Sequence, residues 1–200
     1  MVGGVSVNGE NKQKASNEIG VLKVSSVSNG EFIPLEHKAV IQEDLHRVRQ
    51  NPKEDHILFS RANTPQLVGE SAYIDRSYSD LFLPDKLWLI DVKSREKTNV
   101  RWLSYVLCSG RVRRAISDVA TGTSGSMKNI SKPSLKSVLV AVPELREQVR
   151  IAESIQSVEA RIYRSNHKLQ MLVSMKKGLM QDLLTGKVRV NVDNRENAVA

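Results

Sequence analysis

The last quarter of the chain carries an apolar pattern of seven-residue period, which requires a long helix. From residue 151 onward, apolar side chains recur at steps of three and four, with Ser165 and Lys176 as polar interruptions in register. The apolar positions, called the seam below, are Ile151, Ile155, Val158, Ile162, Leu169, Leu172, Leu179 and Leu183. A helix of roughly 40 residues is about 60 Å long, more than a domain of this size covers. We therefore predict that the seam pairs with another helix. The alternative is that it packs on the chain's own globular part.

The limits of this helix can also be read from the sequence. Pro143 suits a first helical turn, and Glu144 and Glu147 complement the positive end of the helix dipole. Gly186 suits a left-handed cap at the other end. We accordingly expect a domain over residues 1–142, a spacer or dimerisation helix over residues 143–187, and a disordered tail over residues 188–200.

Composition favours a partner that carries phosphate. The chain has 30 Lys and Arg against 22 Asp and Glu, a formal charge of +8 and a pI near 9.7. Cys108 is the single cysteine, which offers neither a disulfide nor a metal cluster. The chain has no run of about 20 apolar residues and no signal-peptide core. We expect a cytoplasmic protein without a membrane segment and without a cofactor.

The positive charge is concentrated in one stretch. Residues 101–136 contain seven Lys or Arg and one acid, Asp118, a net +6. Arg113 and Arg114 lie in its first half, which we predict as one helix over residues 100–119. The second half is a loop of Gly, Ser and Thr with Lys128, whose hydroxyls, N–H groups and cation suit phosphate oxygens and base edges. A solvated basic helix face is the alternative.

The first hundred residues are predicted to form mainly short strands. The runs are residues 21–27, 56–60, 66–69, 72–74 and 87–92, with a short helix over residues 45–50. The predicted fold class is α+β, an irregular and mostly β domain followed by a long coiled-coil helix.

Four strings of the sequence, taken in order, carry a family resemblance. They are DHILFSRANT (55–64) with LVG (67–69), GTSGSMKNI (122–130), VPELREQVRIA (142–152) and LMQDLLTGK (179–187). Together they resemble the specificity subunit of type I restriction-modification systems. The resemblance implies target-recognition domains that each read one half of a split double-stranded DNA sequence. It also implies spacer helices that pair antiparallel and help dock methyltransferase subunits, and through them the restriction subunit.

The chain departs from the family pattern because it has one recognition domain and one spacer helix instead of two. It is therefore either a half-subunit that forms a homodimer or pairs with another half-subunit, or a fragment. The shared motifs suggest DNA contacts by Ser60, Arg61 and Asn63 and by Ser124, Ser126, Lys128 and Asn129. For Arg61, a structural role at the end of a strand is equally open.

Two other functions are alternatives to a non-catalytic recognition module. Asp85, Asp91 and Lys93 have the residue types of a metal-dependent nuclease, but no further carboxylate is placed with them. The four histidines show no metal-ligand spacing. A coiled-coil adaptor that binds proteins without DNA remains an alternative.

Overall fold

The computed structural model describes residues 1–122 and 126–190 of the chain. Met1–Ala152 form one compact unit, and a second unit begins at Glu153. The strands are β1 (Val2–Gly3), β2 (Gly20–Leu22), β3 (Val27–Ser28), β4 (Glu31–Phe32), β5 (His37–Ala39), β6 (His56–Ser60), β7 (Ala62–Asn63), β8 (Ser71–Ile74), β9 (Leu81–Phe82), β10 (Leu87–Ile90) and β11 (Lys128–Asn129). The α-helices are α1 (Val100–Cys108), α2 (Gly110–Asp118), α3 (Lys132–Lys136) and α4 (Leu145–Leu184).

A four-stranded antiparallel sheet forms the centre of the first unit, in the order β1-β10-β6-β8. The two central strands are continuous apolar runs because both faces of the sheet are buried. Alternate side chains of β6 and β10 divide between two separate hydrophobic clusters. Phe59 and Trp88 stack in the first cluster, with their ring centroids 5.9 Å apart.

Different elements cover the two faces of this sheet. Val100 and Leu107 of α1, Ile116 of α2 and Ile130 after β11 belong to the first cluster. The second cluster contains residues of β2, β3 and β9, the last in parallel pairing with β2. The basic stretch of the sequence is therefore anchored by apolar residues on one face of the central sheet.

Near the N-terminus, a buried carboxylate ties the chain to a 3₁₀ helix, Gln42–Arg47. Asp44 accepts hydrogen bonds from the backbone N–H of Asn8 at 2.6 Å and from its side-chain amide at 3.1 Å. The Asn8 backbone bond, helped by the Arg47 guanidinium, lowers the pKa of the Asp44 carboxyl. The residues before β2 are thus held by charge-assisted bonds.

The predicted long helix is confirmed as α4, which has 40 residues. Pro143 lies two positions before its first residue, and Gly186, with φ of +72°, follows its last turn. Within the described residues, the seam from Val158 to Leu183 is exposed, whereas Ile151 and Ile155 are half-buried. The limits predicted at residues 142 and 187 remain predictions, and residues 191–200 of the predicted tail lie outside the described residues.

The α+β class is confirmed, but four predicted elements were wrong in detail. Residues 66–69 form a turn instead of a strand, and Gly69 there has φ of +80°. The predicted helix over residues 100–119 is two helices, because Ser109 takes an extended conformation between them. The strand predicted over residues 21–27 is interrupted by the 3₁₀ helix Val24–Ser26. The helix predicted over residues 45–50 is the 3₁₀ helix Gln42–Arg47.

Candidate nucleic-acid interface

The fold pairs the two motifs that were predicted to contact DNA. Strand β7, which follows Arg61, pairs antiparallel with β11, so that Lys128 lies opposite Asn63 and Asn129 opposite Ala62. The backbone N–H of Ile130 donates to the Arg61 carbonyl at 2.8 Å. Backbone pairing therefore joins two motifs that lie far apart in the sequence.

The glycine-rich loop begins and ends at a pair of backbone hydrogen bonds. Thr121 and Asn129 donate to each other's carbonyls at 2.8 and 2.7 Å. A Cβ atom on Gly122 would lie 2.5 Å from the carbonyl oxygen of Met127, so this position requires glycine. Ser126 and Asn129 are exposed and Lys128 is half-buried. Ser124 lies outside the described residues.

The side chains of the first motif, Ser60, Arg61 and Asn63, form hydrogen bonds with other groups of the protein. The Ser60 hydroxyl is buried and accepts a hydrogen bond from the Asn63 amide at 3.2 Å. The Asn63 side-chain oxygen accepts from the Thr64 N–H at 2.8 Å. The Arg61 Nε donates to the Asp85 carbonyl at 2.8 Å. Direct DNA contact by Ser60 stays an untested prediction, and its burial favours a supporting role.

The side chains of two neighbouring arginines of α2 have different surroundings. Arg113 has only 17% of its side chain exposed, and its guanidinium donates to the carbonyls of Val68 and Gln66 and pairs with the Glu70 carboxylate at 3.1 Å. Arg114 is exposed, and its Nε donates to the Gly110 carbonyl of its own helix. The geometry thus favours Arg114 over Arg113 as a DNA contact, although both remain predictions.

The cations of this region lie mainly at the surface. Arg111, Arg114, Lys132 and Lys136 are exposed, in addition to the half-buried Lys128. Such a surface matches the phosphate backbone in charge and in hydrogen-bonding capacity.

The residues considered for a nuclease have other partners. Asp85 lies beside Arg61, and Asp91 pairs with Arg95 at 2.8 Å. Within residues 1–122 and 126–190, no group of three or more His, Cys, Asp or Glu could hold a metal ion. Every helix of the same ranges is too short or too polar to cross a membrane.

Sequence reasoning missed the buried amide that holds the first turn of α4. Gln148 is completely buried; its side-chain oxygen accepts from the Asn99 N–H at 2.8 Å, and its nitrogen donates to the carbonyls of Lys97 and Pro143. Asn99 also caps α1 by accepting from the Trp102 N–H. The capping preference of asparagine could have found Asn99, but no periodic signal marks Gln148.

Comparison with known proteins identifies the family. Residues 6–172 match the family model described as the type I restriction modification DNA specificity domain. The chain belongs to this family.

Named relatives agree with this assignment. The chain is 26% identical over 137 residues to the type I restriction enzyme EcoEI specificity subunit of Escherichia coli, covering 68% of this chain and 23% of that protein. It is 32% identical over 95 residues to the type I restriction enzyme MjaVIII specificity subunit of Methanocaldococcus jannaschii, covering 48% of this chain and 22% of that one. The chain thus spans less than a quarter of the length of these relatives.

Solved structures share the fold. The S subunit of a type I restriction-modification system from M. genitalium aligns with a TM-score of 0.52 at 15% identity, covering 88% of this chain and 40% of that one. A chain from a study of complex assembly and conformational transition in the type I R-M system aligns with a TM-score of 0.55 at 16% identity. That alignment covers 90% of this chain and 46% of the other.

Proposed function

We propose that this chain recognises one half of a split DNA sequence for a type I restriction-modification complex. The observation that carries the proposal is the pairing of β7 with β11, which joins the two predicted DNA-contact motifs beside an exposed basic surface. The chain supplies recognition, while methyltransferase and restriction subunits supply the chemistry.

The division of labour among the motif residues follows from their burial. Ser126, Asn129 and Arg114 are exposed at the surface, and Lys128 is half-buried. Ser60, Asn63 and Arg61 hold the backbone on which that surface is built. Phosphate contacts then fix the position of the module on DNA, and base contacts provide its specificity.

The exposed seam along α4 is the basis on which we propose partners for this chain. Along α4 the seam presents large apolar side chains to solvent, among them Leu169 at 60% exposure. Exposed stripes of this period are typical of helices that pair. We assign the seam to a second spacer helix, from another copy of this chain or from another half-subunit.

A salt titration tests the recognition function. The purified full chain is mixed with a fluorescent duplex of random sequence, and the dissociation constant is measured between about 50 and 200 mM salt. We expect the affinity to fall steeply with salt, because binding to phosphates releases counterions. A chain that hardly binds duplex at any of these concentrations would contradict recognition and support the protein adaptor.

A cleavage assay separates recognition from catalysis. The same duplex is incubated with the chain and Mg²⁺, and its length is followed by electrophoresis. The duplex is expected to stay intact, since catalysis belongs to other subunits in this proposal. Cleavage that depends on Mg²⁺ and on Asp91 would favour the nuclease.

A further inference from the structure

The turn between β7 and β8 has an exposed tip on a rigid base. Thr64, Gln66 and Leu67 are exposed, whereas Val68 and Gly69 directly after them are buried. The side chain of Gln66 is exposed, so the tip of the turn presents an amide to solvent.

Hydrogen bonds from the turn's own backbone fix its shape. The Thr64 carbonyl accepts from the N–H groups of Leu67 at 3.1 Å and Val68 at 2.8 Å. The Gly69 N–H donates to the Ser60 carbonyl at 2.7 Å. The turn is therefore closed on both sides and attached to the end of β6.

Arg113 holds this turn from the side of α2. Its guanidinium bonds the carbonyls of Val68 and Gln66 and the carboxylate of Glu70. The planar fork of arginine can serve several acceptors at once, which a lysine ammonium does less well. The contact reaches the carbonyl of Gln66 itself, so Arg113 restrains the residue at the tip.

The packing around Gly69 leaves little freedom for another arrangement. A Cβ atom on Gly69 would lie 2.4 Å from Cγ2 of Ile116 and 3.0 Å from Nη1 of Arg113. Ile130, the residue after β11, is 3.3 Å from the same point. The turn, α2 and the end of the glycine-rich loop therefore meet at one place, next to the strand that carries Lys128.

From this geometry we propose that Gln66 reads a base of the target DNA and that Arg113 is the positioning residue that holds Gln66 in place. The proposal rests on the proposed function. A glutamine side chain offers one donor and one acceptor together, which matches the N6 and N7 edge of adenine. Its rigid base lowers the entropy lost on binding.

The experiment selects DNA with the full chain from short duplexes that have a randomised core. Wild type is compared with Gln66→Ala and with the matched control Gln42→Ala, an exposed glutamine on the 3₁₀ helix Gln42–Arg47. We expect Gln66→Ala to lose about tenfold or more of its preference for the selected sequence over random duplex. Its affinity for random duplex and its salt dependence should match those of wild type and of the control.

The charge-conserving variant Arg113→Lys tests the positioning role. We expect it to lose sequence preference as Gln66→Ala does, with an unchanged salt slope. The double variant should be no worse than either single variant, because both changes remove the same base contact. An equal loss of affinity for selected and random duplexes, with the sequence preference retained, would instead identify Arg113 as a phosphate contact and overturn the positioning role.

Failure of the inference and failure of the proposed function give different results. If wild type selects a sequence and Gln66→Ala retains the full preference, the inference is overturned and DNA recognition stands. If wild type selects no sequence, recognition and the inference are both overturned. Gln66 is exposed, so its substitution leaves the fold intact even if Arg113→Lys does not.

Discussion

At the scale of single residues, Gln148 has the strongest structural role that the structure reveals. A buried amide is tolerated only when its polar atoms are hydrogen-bonded. Gln148 meets this condition through Asn99, Lys97 and Pro143, which all lie in loops. One side chain therefore joins the loop before α1 to the start of α4 within the first unit.

We predict that Gln148→Leu destabilises the first unit. The change keeps the side-chain size but leaves the Asn99 N–H and two carbonyls without their partner. A buried unpaired group costs about 1–3 kcal/mol, and the three partners are partly buried, so a total loss of about 3 kcal/mol in the free energy of unfolding is expected. Urea denaturation measures it, and Gln170→Leu on the exposed part of α4 is the control. Equal unfolding midpoints for both variants would show that the amide network is unimportant.

Residue roles in the candidate site could be predicted only in part. Residue type and motif predicted DNA contacts by Lys128 and Asn129, which stay predictions, and gave no sign that these residues pair with β7 or that Ser60 is buried. The direction of a side chain depends on tertiary contacts. Arg113 and Arg114 are neighbours in one basic run, yet Arg113 is held against the turn before β8, whereas Arg114 is exposed and donates to a carbonyl of its own helix.

At the scale of elements, strong apolar periodicity predicted secondary structure well, whereas short apolar runs predicted it poorly. The long helix predicted from the heptad pattern and the strands predicted from the apolar runs of β6 and β10 are confirmed, because a sustained period or a continuous apolar run is the strongest signal of secondary structure. The run over residues 66–69 is apolar enough for a strand. However, the positive φ of Gly69 and the doubly bonded Thr64 carbonyl turn the chain there.

The exposed seam of α4 leads to a prediction about association. We expect the purified chain to self-associate and Ile162→Glu to weaken this at least tenfold, because burying an isoleucine contributes about 1.5–3 kcal/mol. Sedimentation equilibrium measures the change. Tyr163→Glu is the matched control, since Tyr163 is also an exposed large apolar residue but lies off the seam.

The mass of the wild-type chain decides the oligomeric proposal. It should be measured for the chain alone and for the chain mixed with the methyltransferase subunit proposed as its partner. A monomer under both conditions would contradict pairing through the seam. A monomer alone that joins the methyltransferase complex would show that the seam serves that subunit instead.

At the scale of the whole molecule, the distribution of charge matters more than its total. The formal charge is +8, and residues 101–136 carry +6 of it. Apolar residues of the same stretch, among them Ile116 and Ile130, belong to the cluster on one face of the central sheet. The stretch that carries most of the net charge is thus anchored on one face of the central sheet, and it includes β11, which pairs with β7.

This distribution makes the effect of a single lysine predictable. Lys128→Ala should weaken binding to selected and random duplexes by the same factor and flatten the salt dependence by about one unit of slope, because one phosphate contact is lost. Fluorescence anisotropy at several salt concentrations measures both quantities. The matched control is Lys53→Ala. It removes an exposed lysine that precedes β6, whereas Asn63, the residue opposite Lys128, follows β6. If the loss is confined to the selected sequence, Lys128 contacts a base and the phosphate assignment is wrong. If Lys53→Ala has the same effect, binding depends on net charge alone, and the surface around β7 and β11 has no special part in it.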